Sequence, residues 1–354
     1  MTKTKKKISK QTRSNIITYG IVILAYIIVQ TMINSGSISS LMEGLMVPLC
    51  IYAILAISLN LVVGILGELS LGHAGFMCVG AFASAFFSKC MRGEMASDGL
   101  RFFLALLIGV AAAAVFGLLI GIPVLRLKGD YLAIVTLAFG EIIKNLVNVL
   151  YIGKDSSGFH ISTQDVMALD SDGTMIISGP QGITGTPRDA TFLIGIILVL
   201  ITLFIVINLT NSRSGRAIMS IRDNRIASES IGINVTKYKL MAFTVSAALA
   251  GSAGVLYAHN LSTLTATTNN FGYNQSIMIL VFVVLGGIGN IRGSMIAAVI
   301  LTLLPELLRG LSDYRMLIYA IVLIIMMLFN WAPKAIEWRE KYLSFGRKKK
   351  EAVK

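Results

Sequence analysis

TFLIGIILVLITLFIVINLTNSRSGRAIMSIRDNRIASESIGINVTKYK occupies residues 191–239, and it changes character abruptly after Leu209. Residues 191–209 carry no charge, and a helix of that length crosses most of a hydrocarbon core roughly 30 Å thick. The remainder, 210–239, holds Arg213, Arg216, Arg222, Arg225, Lys237 and Lys239 against only Asp223 and Glu229. That loop is too polar to enter lipid and too short to be a catalytic domain. Beside a membrane span it reads as a cytoplasmic handle for another component, or as a lipid-binding patch.

Composition carries the same message outward along the chain. Of 354 residues, 55% are hydrophobic and 14% charged, where a soluble domain carries about a quarter. Apolar runs lie at 16–33, 41–66, 70–87, 102–122, 131–151, 191–209, 240–258, 276–288, 294–308 and 316–329. We therefore expect an all-α polytopic membrane protein with about ten transmembrane helices, the last three short. The net charge of +13 sits in tails and loops and does not point to a nucleic-acid partner. Cys50, Cys78 and Cys90 stand singly, without the spacing of a disulfide framework or a zinc site.

Lys and Arg favour the cytoplasmic face, which makes charge a separate test of the span count. Residues 1–15 carry Lys3, Lys5, Lys6, Lys7, Lys10 and Arg13 with no acid, so the N-terminus is placed inside. Five spans later the segment 152–190, with Lys154 and Arg188 against Asp155, Asp165, Asp170, Asp172 and Asp189, falls outside. A sixth span returns the basic loop 210–239 to the inside, with the turn of Arg126 and Lys128 on the same side. Four more bring the basic tail 334–354 inside, leaving 16–333 as the membrane domain.

Three constellations inside that domain are unusual for plain anchors. Gly64, Gly67, Gly72, Gly75 and Gly80 form a small-residue patch that also holds Glu68, Ser70 and His73. Small residues permit close helix approach in lipid, and polar groups there face protein or a cavity. The patch is either a turn with a satisfied buried histidine or a path-lining and gating element. On the fifth span Glu141, Lys144, Asn145 and Asn148 recur at helical spacing. A charge at mid-membrane is costly and faces the bundle interior, so Glu141 and Lys144 are a structural ion pair or part of a translocation path. The outer run Gly179–Gly185 reads as turn chemistry rather than strand or long helix. The glycine-rich join Gly286–Gly293 loosely echoes 62–67.

Some signatures are missing from the sequence. It contains no G-x-x-x-x-G-K-[ST] phosphate loop and no nucleophile elbow or zinc-protease motif. If ATP drives transport, ATP and its magnesium belong to separate partner subunits, and the basic loop is their natural docking site.

Several stretches together resemble branched-chain amino acid ABC transporter permeases, of the hydrophobic amino acid uptake transporter family. They are GELSLGHAGFMCVGA at 67–81, LKGDYLAIVTLAFGEIIKNL at 127–146, GPQGITG at 179–185, SGRAIMSIRDNRIASESIGINVTKYKLMAF at 214–243 and VLGGIGNIRGSMIAAVIL at 284–301. Their order spans nearly the whole chain, and the outer loop resembles the longer permease, the LivM type. The resemblance implies import across a bacterial plasma membrane, a second permease subunit, two cytoplasmic ATPase subunits and an external solute-binding protein. It also implies that 223–232 is the coupling helix that enters an ATPase cleft, with Asp223, Asn224, Arg225, Ser228, Glu229 and Gly232 as its coupling residues and Arg222 just before them. Here the chain departs from the usual pattern: Arg225 replaces a frequent acid, and Ser228 and Ser230 replace alanines. Alternatives at this stage are a urea or short-amide permease, a secondary carrier using Glu141 or His73 as a proton site, and a membrane-embedded enzyme.

Overall fold

The computed structural model describes residues 10–331 apart from 37–38, 96, 128, 156–157, 164–172 and 310–313. The tails at 1–9 and 332–354, Lys128, and Asp165, Asp170 and Asp172 lie outside the described residues. The chain is mostly helical, because in lipid each backbone amide must find its partner within its own segment.

Helix α1 (Lys10–Asn34) lies at the periphery. Helix α2 (Ser40–Asn60) runs on through one π-helical turn, Leu61–Leu66, which closes at Gly67 in the left-handed conformation (φ +81°). Next come helices α3 (His73–Cys90), α4 (Asp98–Val124) and α5 (Asp130–Val149). Beyond the outer segment lie α6 (Phe192–Asn211), the short α7 (Arg213–Asp223) and α8 (Arg225–Ser230), and the long α9 (Val235–Asn260). One turn, α10 (Thr268–Phe271), precedes α11 (Tyr273–Gly286), α12 (Ile291–Leu307) and α13 (Arg315–Trp331).

A helix thus lies at each of the ten expected places, but the count of ten crossings is not met by length and composition. Among the described residues six stretches are long and apolar enough: Asn15–Asn34, Ser40–Leu66, Asp98–Val124, Asp130–Val149, Phe192–Asn211 and Val235–Asn260. Helices α11, α12 and α13 have 14, 17 and 17 residues, against the ~20 a perpendicular crossing takes. The 18 residues of α3 are diluted by Gly, Ser, His and Lys.

The expectation of an all-α chain needs correction between α5 and α6. Strands β1 (Tyr151–Asp155), β2 (Gly158–Ser162) and β3 (Thr174–Ser178) form an antiparallel sheet in the order β2-β1-β3. Within the run read as turns, Gly179–Gln181 is a single 3-10 turn, but Ile183–Thr184 is strand β4, paired with β5 (Thr263–Leu264) after α9. The acids and glycines of 152–190 mask short runs such as Ile176-Ile177, both buried. Open sheet edges need water or protein cover.

The bundle is centred on α3, α4 and α9, with α2 alongside. Small residues bring these backbones together: a Cβ on Gly80 would stand 2.6 Å from the Cα of Gly251. In lipid such close packing takes the place of a hydrophobic driving force between helices. Phe76, Phe243 and Phe139 fill the centre, with Phe76 edge-on to Phe243 at 5.4 Å between ring centroids.

Candidate functional site

Helix α8 is six residues long, too short to persist in water on its own, so its ends are held. The Asn224 side chain accepts from the Ala227 N–H at 3.0 Å, and Gly232 ends the turn with φ +86°. Ser228 faces inward, its hydroxyl donating to the Asn224 carbonyl at 2.9 Å, while Arg225 and Glu229 pair with each other along the surface at 3.0 Å. The sequence contains no obvious reason for what the outer face shows: Ile226 and Ile231 are 80% and 74% exposed. Ile226 on this held, polar helix and Ile231 at its C-terminal cap form an apolar prong.

The roots of the prong are tied to the bundle. Arg222, the penultimate residue of α7, donates through Nη1 to the Gly64 carbonyl at 2.9 Å and through Nη2 to Asp223 at 2.9 Å. Its aliphatic stem lies where Gly67 has no side chain, since a Cβ there would stand 2.5 Å from the Arg222 Cγ. On the other side of the prong, buried Lys239 of α9 pairs with Glu68, the residue after the π turn's cap. Sequence reasoning leaves Lys239 as one more charge of the basic loop. Its signal is the last cation before an apolar run, on the side where the sequence reading also places Glu68.

The π turn also reaches the other glycine-rich join. Asn60, fully buried in α2, accepts from the Gly289 N–H at 2.9 Å and donates to the Ser294 hydroxyl at 2.9 Å. A Cβ on Gly64 would stand 2.6 Å from the Gly289 Cα. The two joins, alike in sequence, therefore meet in space. Sequence reasoning misses Asn60, for an Asn in an apolar run gives no hint of its partner.

Ser70 and His73 sit just beyond the break. His73 is buried, its Nε2 2.7 Å from the Ser58 hydroxyl. That hydroxyl also lies 3.0 Å from the Leu55 carbonyl. Ser70 is buried and its hydroxyl has no hydrogen-bond partner. The structure brings Glu68, Ser70 and His73 into one neighbourhood but leaves Glu141 and Lys144 on a different contact.

Along α5, Glu141 accepts from Lys144 at 2.5 Å and from the Tyr273 backbone N–H at 2.8 Å. Lys144 also donates to the Thr268 hydroxyl at 3.1 Å, and Asn148 to the Ala266 carbonyl at 2.9 Å. Asn145 faces outward, off this stripe. The stripe thus clasps the chain from Ala266 to Tyr273 as it descends beside α5, and α11 begins only at the depth of Glu141. Helix α11 is preceded by the single turn α10, in a partly exposed stretch that α5 holds by side-chain hydrogen bonds. A carboxylate at the first turn of α11 also complements the helix dipole.

Residues 41–329 match the family of the branched-chain amino acid transport system permease component. The chain is 36% identical over 297 residues to the high-affinity branched-chain amino acid transport system permease protein LivM of Salmonella typhimurium, covering 81% of this chain and 67% of that one. The same figures hold for LivM of Escherichia coli. It is also 24% identical to the LivH permease of that system in E. coli, over 78% of this chain and 88% of LivH. No solved structure matches.

Proposed function

Because the chain belongs to the branched-chain amino acid transport permease family, we propose that it lines one half of a membrane path for branched-chain amino acids, imported at the expense of ATP hydrolysed elsewhere. It is a permease subunit, and its relatives in one bacterium include two permeases, LivM and LivH. We take its counterpart to be a second permease, with two cytoplasmic ATPases and an external solute-binding protein completing the importer. The ten helices then all cross or enter the bilayer of a bacterial plasma membrane, with both termini and the 210–239 loop inside. The sheets β2-β1-β3 and β4-β5 face outside, where the binding protein arrives.

One observation carries the mechanism: Ile226 of α8 and Ile231 at its C-terminal cap stand exposed on an element whose two roots are fastened to the same break in α2. An amphipathic helix laid into a groove is a common recognition mode, and the ATPase supplies that groove. When the ATPases close on ATP, α8 is pushed. Arg222 and Lys239 pass the displacement to Gly64 and Glu68, and Asn60 passes it on to the α11–α12 join. The helices on either side of these joins then tilt, and the path reopens to the opposite face. Asp223, Asn224 and Gly232 shape the prong rather than touch solute. Glu141 and Lys144 hold the descending segment 266–273 against α5, and the solute passes beside that clasp.

The test is uptake of labelled leucine into proteoliposomes holding both permeases, the ATPases and the binding protein. Uptake that requires ATP, is competed by isoleucine and valine, and ignores urea and acetamide is expected. Uptake that persists without ATP and collapses with a protonophore contradicts it.

A further inference from the structure

Asn145 takes no part in the clasp on α5, although the sequence spaces it with Glu141, Lys144 and Asn148. At the helical repeat it lies about 40° round the helix from Glu141, on the outward side of the stripe. It is exposed, and among the described residues its amide has no hydrogen-bond partner. Two more amides share its depth. Asn269 of α10 and Asn274 of α11 are exposed on the segment that Lys144 and Glu141 hold through Thr268 and the Tyr273 N–H. The Asn274 Nδ2 donates to the Asn269 Oδ1 at 3.3 Å. Among the described residues that leaves the Asn274 carbonyl and the Asn269 amino group unpaired. Exposed apolar side chains border the row: Ile142, one turn before Asn145 on α5, and Ile277, one turn after Asn274 on α11.

Lipid does not suit this face. Asn145 lies within Asp130–Val149, one of the six stretches long and apolar enough to cross a membrane. Unpaired amides are costly in hydrocarbon, where polar groups face protein or a water-filled cavity. A dry contact with another subunit would have to pair each of these donors and acceptors. It would also strip the Glu141 side chain, still 24% exposed, of its remaining water. Water and a polar solute satisfy the same groups without that cost.

We propose that Asn145, Asn269 and Asn274 line the water-filled path and hold the charged end of the transported amino acid, an inference that rests on the import function proposed above. A zwitterion needs an acceptor for its ammonium and a donor for its carboxylate, and a primary amide supplies both. Neutral amides also hold it weakly enough for release, which passage through a membrane requires. Ile142 and Ile277 flank the row and receive the branched apolar side chain. Glu141 and Lys144, already paired with each other, position the row and do not touch the solute.

The test uses proteoliposomes holding both permeases, the ATPases and the binding protein. Asn145→Cys, treated from outside with a membrane-impermeant methanethiosulfonate, is expected to be labelled, above the background of a wild-type chain whose Cys50, Cys78 and Cys90 are buried. Saturating leucine is expected to suppress that labelling. Asn145→Ala is expected to lower ATP-driven leucine uptake about five-fold, the weight of one hydrogen bond. A leucine analogue with a diazirine in its side chain, which needs no variant, is expected to cross-link around Ile142 and Ile277. Wild-type leucine uptake in the same vesicles tests the import function separately, and its absence overturns that function and this site together. Where uptake is present, an Asn145→Cys thiol no more reactive than wild type, labelling that leucine leaves unchanged, or cross-links confined to other helices overturns the site alone.

Discussion

Arg222 spans the boundary between loop and membrane: its guanidinium donates to the Gly64 carbonyl at 2.9 Å while its stem occupies the place of a Gly67 side chain. The basic loop is therefore not only a charged apron. One of its arginines is part of the bundle, and the charge that the sequence assigns to docking is spent on a backbone carbonyl at a helix break. If Arg222 transmits motion, Arg222→Ala is expected to reduce ATP-driven uptake roughly ten-fold or more, the weight of a charge-assisted hydrogen bond, while the ATPases still co-purify. Arg222→Lys, which keeps one donor, is expected to fall between.

Glu68 and Lys239 form the second root, both largely buried. Removing one partner leaves a buried charge alone and costs about 3–5 kcal/mol, whereas removing both together is often close to neutral. Glu68→Gln and Lys239→Met are each expected to destabilise the purified protein by that amount, and the double variant by clearly less than the sum. Denaturation in detergent measures all three. Additive losses would mean that the two side chains do not interact.

Gly80 and Gly251 set the distance between α3 and α9. Gly251→Leu demands that the two backbones part, and overpacking of this kind costs typically 1–3 kcal/mol and more where backbone must move. A loss of monodisperse protein on size-exclusion chromatography is expected, with Gly251→Ala milder. Normal elution of Gly251→Leu contradicts the close crossing.

Glu141 holds both Lys144 and the Tyr273 N–H. Glu141→Gln keeps an acceptor for the amide but strands Lys144, so stability and uptake are expected to fall together. Adding Lys144→Met is expected to recover stability. Full stability of Glu141→Gln with abolished uptake would instead make this carboxylate part of the solute path.

Much of the architecture is legible in the sequence because lipid makes composition decisive: long apolar runs mark the helices and their order. The basic loop 210–239 is legible for the same reason. What stays hidden depends on a partner distant in sequence. Nothing near Asn60 announces Gly289, and Lys239 needs the fold to meet Glu68. The strands of 151–184 are masked because acids and glycines dominate a segment in which, among the described residues, Ile176, Ile177 and Ile183 are the buried large side chains. The hold of Glu141, Lys144 and Asn148 on segment 266–273 likewise needs the fold, since these partners are distant in sequence.

Ile226 and Ile231 carry the central claim, that α8 is the element seized by an ATPase. The direct measurement is co-purification of the ATPase subunits with the Ile226→Asp/Ile231→Asp variant, alongside its ATP hydrolysis stimulated by liganded binding protein. Both isoleucines are exposed, so folding is expected to be intact, with unchanged expression and elution. Loss of the bound ATPases and of stimulated hydrolysis is the predicted result. Wild-type co-purification with undiminished stimulation would contradict the account.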